Sequence, residues 1–198
     1  MNKSRYKKRN GYVCSYKDFL CMLPCCAENV QHGLLERLNA QPRPYVLCGK
    51  EVPKNLMTLS YGTLDDLRSA TAAEDPIAEC VRILLGVDSS DLLEADVNDV
   101  FGFLAFVKRE LEKINKLFAD IKRTYSKEEV VAGVRDLDFG SFGVLDWYAR
   151  RMGITNQNEV RDVAWVRIYQ CMRNDNEQAE FERRLHRQYM NNSKAKRK

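Results

Sequence analysis

The chain has 198 residues, of which 44% are hydrophobic and 30% charged, with ten glycines and five prolines. That is enough apolar material for a packed core, and it excludes collagen-like, low-complexity and wholly disordered designs. The longest strongly apolar run, 101–107, falls far short of the roughly 20 residues that span a bilayer, so no membrane partner is expected.

The chain opens basic: Lys3, Arg5, Lys7, Lys8 and Arg9 stand without an acid in the first ten residues. Residues 183–198 close it the same way, with Arg183, Arg184, Arg187, Lys194, Lys196, Arg197 and Lys198. Those twelve removed from 32 basic residues leave 20 against 28 acids, a net charge of −8 over residues 11–182. Cationic ends on an acidic body are solvated tails on one reading. On the other they are a nucleic-acid contact through Lys7, Lys8, Arg9, Lys196, Arg197 and Lys198, each neutralised phosphate releasing counterions.

Lys17 and Asp18 interrupt 11–20, so a secretory signal core is not expected. The seven cysteines, at 14, 21, 25, 26, 48, 80 and 171, are then expected as reduced thiols of a cytoplasm, without a disulfide framework. Cys21, Cys25, His32 and Cys48 are zinc ligands by type, but their spacing departs from paired knuckles, and no required metal or cofactor is expected. Residues 1–26 show no clear period. A helix is predicted over 28–38, with Val30, Leu34, Leu35 and Leu38 on one face, stopped by Gln41-Pro42-Arg43-Pro44. The strand-like pieces 45–48 and 56–60 suggest one small β-hairpin near 45–60, with Gly49-Lys50 as its turn.

Thr63 with Asp66 predicts a helix over 64–70. Asp75-Pro76 starts another that Gly86 ends, and Ser90 caps a short turn through Leu93. The helix after Asp96 is predicted to be the long central one. Val97, Val100, Leu104, Val107, Leu111, Ile114, Phe118 and Ile121 repeat at spacings of three and four, a heptad seam. Phe101, Phe103 and Phe106 widen its first half, which is expected to bury on more than one side. The second half should be amphipathic, with Leu111, Ile114 and Phe118 as its exposed, partner-facing edge.

Ser126 and Glu129 form a capping box, Gly133 stops that helix, and Gly140, Ser141 and Gly143 introduce one over 144–152 that Gly153 ends. A last helical region opens at Thr155 or Asn156, with a break at Asn174-Asp175-Asn176. Phe139, Phe142, Trp147, Tyr148, Trp165 and Tyr169 are expected to anchor packing between short helices. The predicted fold is mainly α, an irregular multi-helix bundle. Its parts are a basic, cysteine-rich extension with one helix (1–43), a helical domain with the long helix (44–125), a C-terminal helical region (126–190) and a basic tail (191–198).

Reaction chemistry is not assembled. Gly49-Lys50 lacks the upstream glycine of a phosphate loop, and Asp138-Phe139-Gly140 matches a kinase triplet in letters alone. Asp136, Asp138 and Asp146 read better as caps and surface acids than as acid–base groups. No catalytic residue is expected.

The succession Met57-Thr58-Leu59-Ser60-Tyr61-Gly62, Thr63-Leu64-Asp65-Asp66-Leu67, a helix ending Ile83-Leu84-Leu85-Gly86-Val87, then Leu92-Leu93, Asp96 and a long helix, resembles the tail assembly chaperones of long-tailed bacteriophages. The segment from Gly140-Ser141-Phe142-Gly143 through Trp147-Tyr148 to Gly153-Ile154 is similar to a C-terminal region of phage proteins of this size. The resemblance runs over about residues 56–185 and does not cover the cysteine-rich start. It implies a non-enzymatic phage assembly protein in the host cytoplasm, binding a long helical client such as the tape measure protein and absent from the finished particle. The alternative is a virion-associated or nucleic-acid-binding accessory protein using its basic termini.

Overall fold

A computed structural model describes residues 14–121 and 125–195. The fold is mainly α, and the sheet found among the described residues is one two-stranded antiparallel hairpin. Two compact units interleave along the chain. One takes the described residues up to Pro53 together with Ala73–Arg109; the other takes Lys54–Ala72 together with the described residues from Glu110 onward. The units therefore do not follow the expected boundaries at 43/44 and 125/126. One long helix contributes to both, which a consecutive division does not express.

In the first unit, α1 (Tyr16–Met22) occupies the lead-in where the sequence shows no period. Fewer than two turns are too short to display one. Ser15 caps it, its hydroxyl accepting the Asp18 N–H at 3.1 Å. Tyr16 and Phe19 then bury edge-on against Phe101, with ring centroids 6.5 and 5.4 Å away. Backbone bonds from Tyr16 N–H to the Ala95 carbonyl (2.8 Å) and from Val97 N–H to the Cys14 carbonyl (3.0 Å) tie this start to the beginning of α6. Helix α2 (Glu28–Asn39) forms as predicted, yet of its apolar face only Leu38 is buried.

The hairpin pairs β1 (Val46–Leu47) with β2 (Lys50–Glu51). The turn is Cys48-Gly49, at φ 47° and 74°. Positive φ at both central residues is the signature of the primed two-residue turn, which fixes the pairing register of the two strands it joins. The second strand is therefore 50–51 and not 56–60. Helix α4 (Pro76–Leu85) has the Asp75 cap and left-handed Gly86 stop that its sequence announces. Helix α5 (Ser89–Leu93) starts one residue before Ser90, with Asp88 in the cap position.

Helix α6 (Val97–Ala119) is the predicted 23-residue helix, and its first half is buried all round: Val97, Val100, Phe101, Phe103, Phe106 and Val107. Gly102 explains how the Pro42–Pro44 stretch approaches so closely. A methyl group there would overlap the Pro42 carbonyl oxygen. Arg43 completes the contact, its guanidinium 5.6 Å from the Phe106 ring centroid and bonded to the Val52 and Pro53 carbonyls at 2.9 and 3.1 Å. Proline-stiffened backbone yields poorly, so Gly102→Ala should cost about 1–3 kcal/mol, as overpacking does. Urea unfolding of the single variant checks this; an unchanged midpoint would mean the segment lifts freely.

In the second unit, α3 (Tyr61–Ser69) starts earlier than predicted because Ser60, not Thr63, is the cap; its hydroxyl accepts the Thr63 N–H at 3.1 Å. The capping box of α7 (Lys127–Val131) forms in both directions. Helix α8 (Gly140–Met152) begins four residues before the predicted 144 and ends at left-handed Gly153. Short α9 (Asn158–Arg161) precedes α10 (Trp165–Ala195), which at 31 residues is longer than α6. The expected break at 174–176 is absent. Asn and Asp cost only about 0.7 kcal/mol or less each in a helix, and the Arg173–Glu177 pair at 3.0 Å bridges them. The interruption lies at 162–164 instead, where the chain bonds sideways: Tyr61 N–H to the Val163 carbonyl (2.8 Å) and Trp165 N–H to the Leu59 carbonyl (3.1 Å). Leu56, Leu64, Leu67, Ile114, Tyr148, Val160, Trp165 and Ile168 form the core. Among the described residues, no helix is long and apolar enough to cross a membrane.

Candidate functional site: an aromatic cleft beside α8

The second unit carries an open cleft of about 760 Å³ at the start of α8. Its wall is built by the local chain reversal before the helix. Asp138 accepts the Gly140 N–H at 2.8 Å, and Gly140 takes φ 53°, a value that glycine adopts without strain. Phe139 is thereby folded back over the first turn. Gly143 gives it room, since a methyl there would come within 2.6 Å of the Phe139 Cβ. Phe139 and Phe142, 70% and 59% exposed, stand at the mouth. Val144, Trp147 and, from α10, Met172 line the rest of the apolar surface.

The polar groups around it are already engaged. Asp146 accepts from Gln157 at 2.8 Å and pairs with Arg150 at 2.8 Å. Arg151 pairs with Asp175 at 2.7 Å and holds its guanidinium 6.0 Å from the Trp147 ring centroid. Contact with the Cys171 sulfur, and then the Asp175 carboxylate, push the Arg151 pKa above its ordinary value, so it is a permanent cation here. Such an arrangement offers π-faces, a thioether and two oriented charges: the means of gripping an apolar surface and fixing its orientation.

The residues expected to face a partner lie elsewhere. Ile114 is 2% exposed and belongs to the core of the second unit. Phe118 meets Trp165 and Tyr169, with centroids 6.0 and 5.5 Å away, under the Arg68 guanidinium at 5.2 Å. Leu111 is half-buried. The expected exposed edge is thus corrected: the phenylalanines of α6 do thin out there, but α3 and α10 supply the cover. Phe139 and Phe142 are a correction in the other direction, since they were expected to anchor helix packing. The signal that marks them is the glycine on both sides of Phe142, which leaves the two rings without bulky local neighbours.

Lys7, Lys8, Arg9, Lys196, Arg197 and Lys198 lie outside the described residues. Among the described residues, no group of three or more His, Cys, Asp or Glu side chains comes close enough to hold a metal ion. Of the four zinc-type residues, Cys25 Sγ points to the Cys21 carbonyl, His32 faces Glu36 at 3.5 Å, and Cys48 faces the Asp91 carbonyl. No protein family, curated protein or solved structure matches this chain.

Proposed function

We propose that this chain is a non-enzymatic assembly protein of the tail assembly chaperone kind, holding the apolar face of a long helical client such as a tape measure protein in the cleft beside α8. The observation that carries the reading is the pair Phe139 and Phe142, exposed at the mouth of a cleft floored by Trp147 and Met172. Large exposed apolar clusters rimmed by charge mark interaction sites. An amphipathic helix offers side chains at i, i+3 and i+4 that fill such a groove. Arg150 and Asp138 at the rim set the client's direction more than its affinity.

Co-expression with the tape measure protein of the same phage tests this. The client should stay soluble and co-purify with the chain. Phe139→Ser with Phe142→Ser should weaken the complex by tenfold or more, as loss of aromatic anchors does. Both side chains are exposed, so stability should shift by only about 0.5 kcal/mol per site. A client that remains insoluble beside the wild-type chain, or one held equally well by the double variant, overturns the proposal.

A further inference from the structure

Helix α10 continues well beyond the residues that its own unit covers, and the character of its faces changes there. Met172, Ala179 and Arg183 are half-buried and share one side of the helix, at spacings of seven and four residues. Phe181, nine residues from Met172, lies on the opposite side at 3.6 residues per turn. With Leu185 and Tyr189 it forms a ridge of large side chains four residues apart, Phe181 56% and Tyr189 62% exposed. Rows at this spacing are the ridges by which helices pack against one another.

The charge along this stretch is sorted as well. Residues 175–182 contain Asp175, Glu177, Glu180 and Glu182 and no base; residues 183–190 contain Arg183, Arg184 and Arg187 and no acid. The start of α10 lies ten residues before Asp175, so these acids are not first-turn partners of the helix dipole, which acts within about one turn of the end. A segment with an acidic first half, a basic second half and an apolar ridge across the join is complementary to itself turned end for end. Parallel alignment would set like charges together; antiparallel alignment sets acid against base twice over, as an isologous two-fold interface requires.

We propose that residues 175–190 of α10 form a homodimerisation surface, pairing antiparallel with the same segment of a second copy of this chain. The ridge from Phe181 to Tyr189 supplies the buried contact, and Glu177 and Glu182 of one copy lie near Arg184 and Arg187 of the other. The ridge is about 12 Å long, from eight residues at 1.5 Å each. The dimer is therefore of the small, reversible class. It uses none of the residues at the mouth of the cleft.

Sedimentation equilibrium of the nuclease-treated full chain, up to about 200 µM so that a weak interface is sampled, tests it. The wild type should move from monomer to dimer with concentration and do so less readily at high salt, where the charge pairs are screened. Leu185→Asp should be monomeric throughout, with unchanged circular dichroism because the side chain faces away from its own unit. Glu177→Lys with Glu182→Lys, and separately Arg184→Glu with Arg187→Glu, should each self-associate at least tenfold more weakly. Mixed together, the two charge variants should regain dimerisation. A wild type monomeric over the whole range overturns the proposal, as does a dimer indifferent to Leu185→Asp or a mixture that fails to recover. Association seen only before nuclease treatment, with nucleic-acid absorbance, would assign the basic half to nucleic acid and also overturn it.

Discussion

Trp165→Ala should destabilise the second unit by about 3–5 kcal/mol, the range for removing a large aromatic from a packed interior. The side chain is fully buried, and its indole N–H donates to the Leu56 carbonyl at 2.7 Å. That bond joins positions 109 residues apart in sequence, beside the backbone bonds that hold Leu59 and Tyr61 against 163–165. Two losses are separable. Trp165→Phe keeps most of the apolar contact but strands the Leu56 carbonyl, so it should cost the smaller amount of about 1–3 kcal/mol associated with an unpaired buried polar group. Urea unfolding followed by circular dichroism orders the three proteins. If Trp165→Phe proved as damaging as Trp165→Ala, shape complementarity rather than the hydrogen bond would govern this join.

Local signals were legible wherever one residue type does one job. Asp75-Pro76 and Gly86 bracket α4, Ser126 with Glu129 starts α7, and Gly153 ends α8, because caps act within a single turn of chain. The long helix after Asp96 was equally plain from its periodicity. What the sequence hid was non-local. Nothing near Ser60 announces that Val163 and Trp165 will bond to its neighbours, and so nothing separates α9 from α10. The cysteine-rich lead-in concealed α1 for a different reason: Tyr16 and Phe19 gain their meaning only from Phe101, more than 80 residues later. For the candidate site, the aromatic residues of 139–147 were visible but their direction was not. Gly143 decides it by letting Phe139 fold outward over the helix start. The same limit applies to α10, where the charge sorting of 175–190 is written in the sequence while the side that Phe181 occupies emerges only once the helix is known to run unbroken.

Ile114→Ser with Phe118→Ser should unfold the second unit rather than unmask or abolish a binding edge. Ile114 is buried, and replacing it removes most of an aliphatic side chain, a loss of about 2–5 kcal/mol by comparison with truncation to alanine. A hydroxyl left in its place without a partner adds about 1–3 kcal/mol. Phe118 contributes its two aromatic contacts and the face presented to Arg68, whose Nε also bonds Asn115 Oδ1 at 3.0 Å on the same helix. The two positions lie one turn apart and share neighbours, so their effects will not simply add. The combined loss is still a large part of the roughly 5–15 kcal/mol that keeps a domain folded. Circular dichroism and the Trp165 environment report the outcome together: helix content should fall and the indole should become solvated. A double variant that kept its helices and buried indole while losing a partner would restore the seam to the surface and contradict the packing of α3 and α10 over the second half of α6.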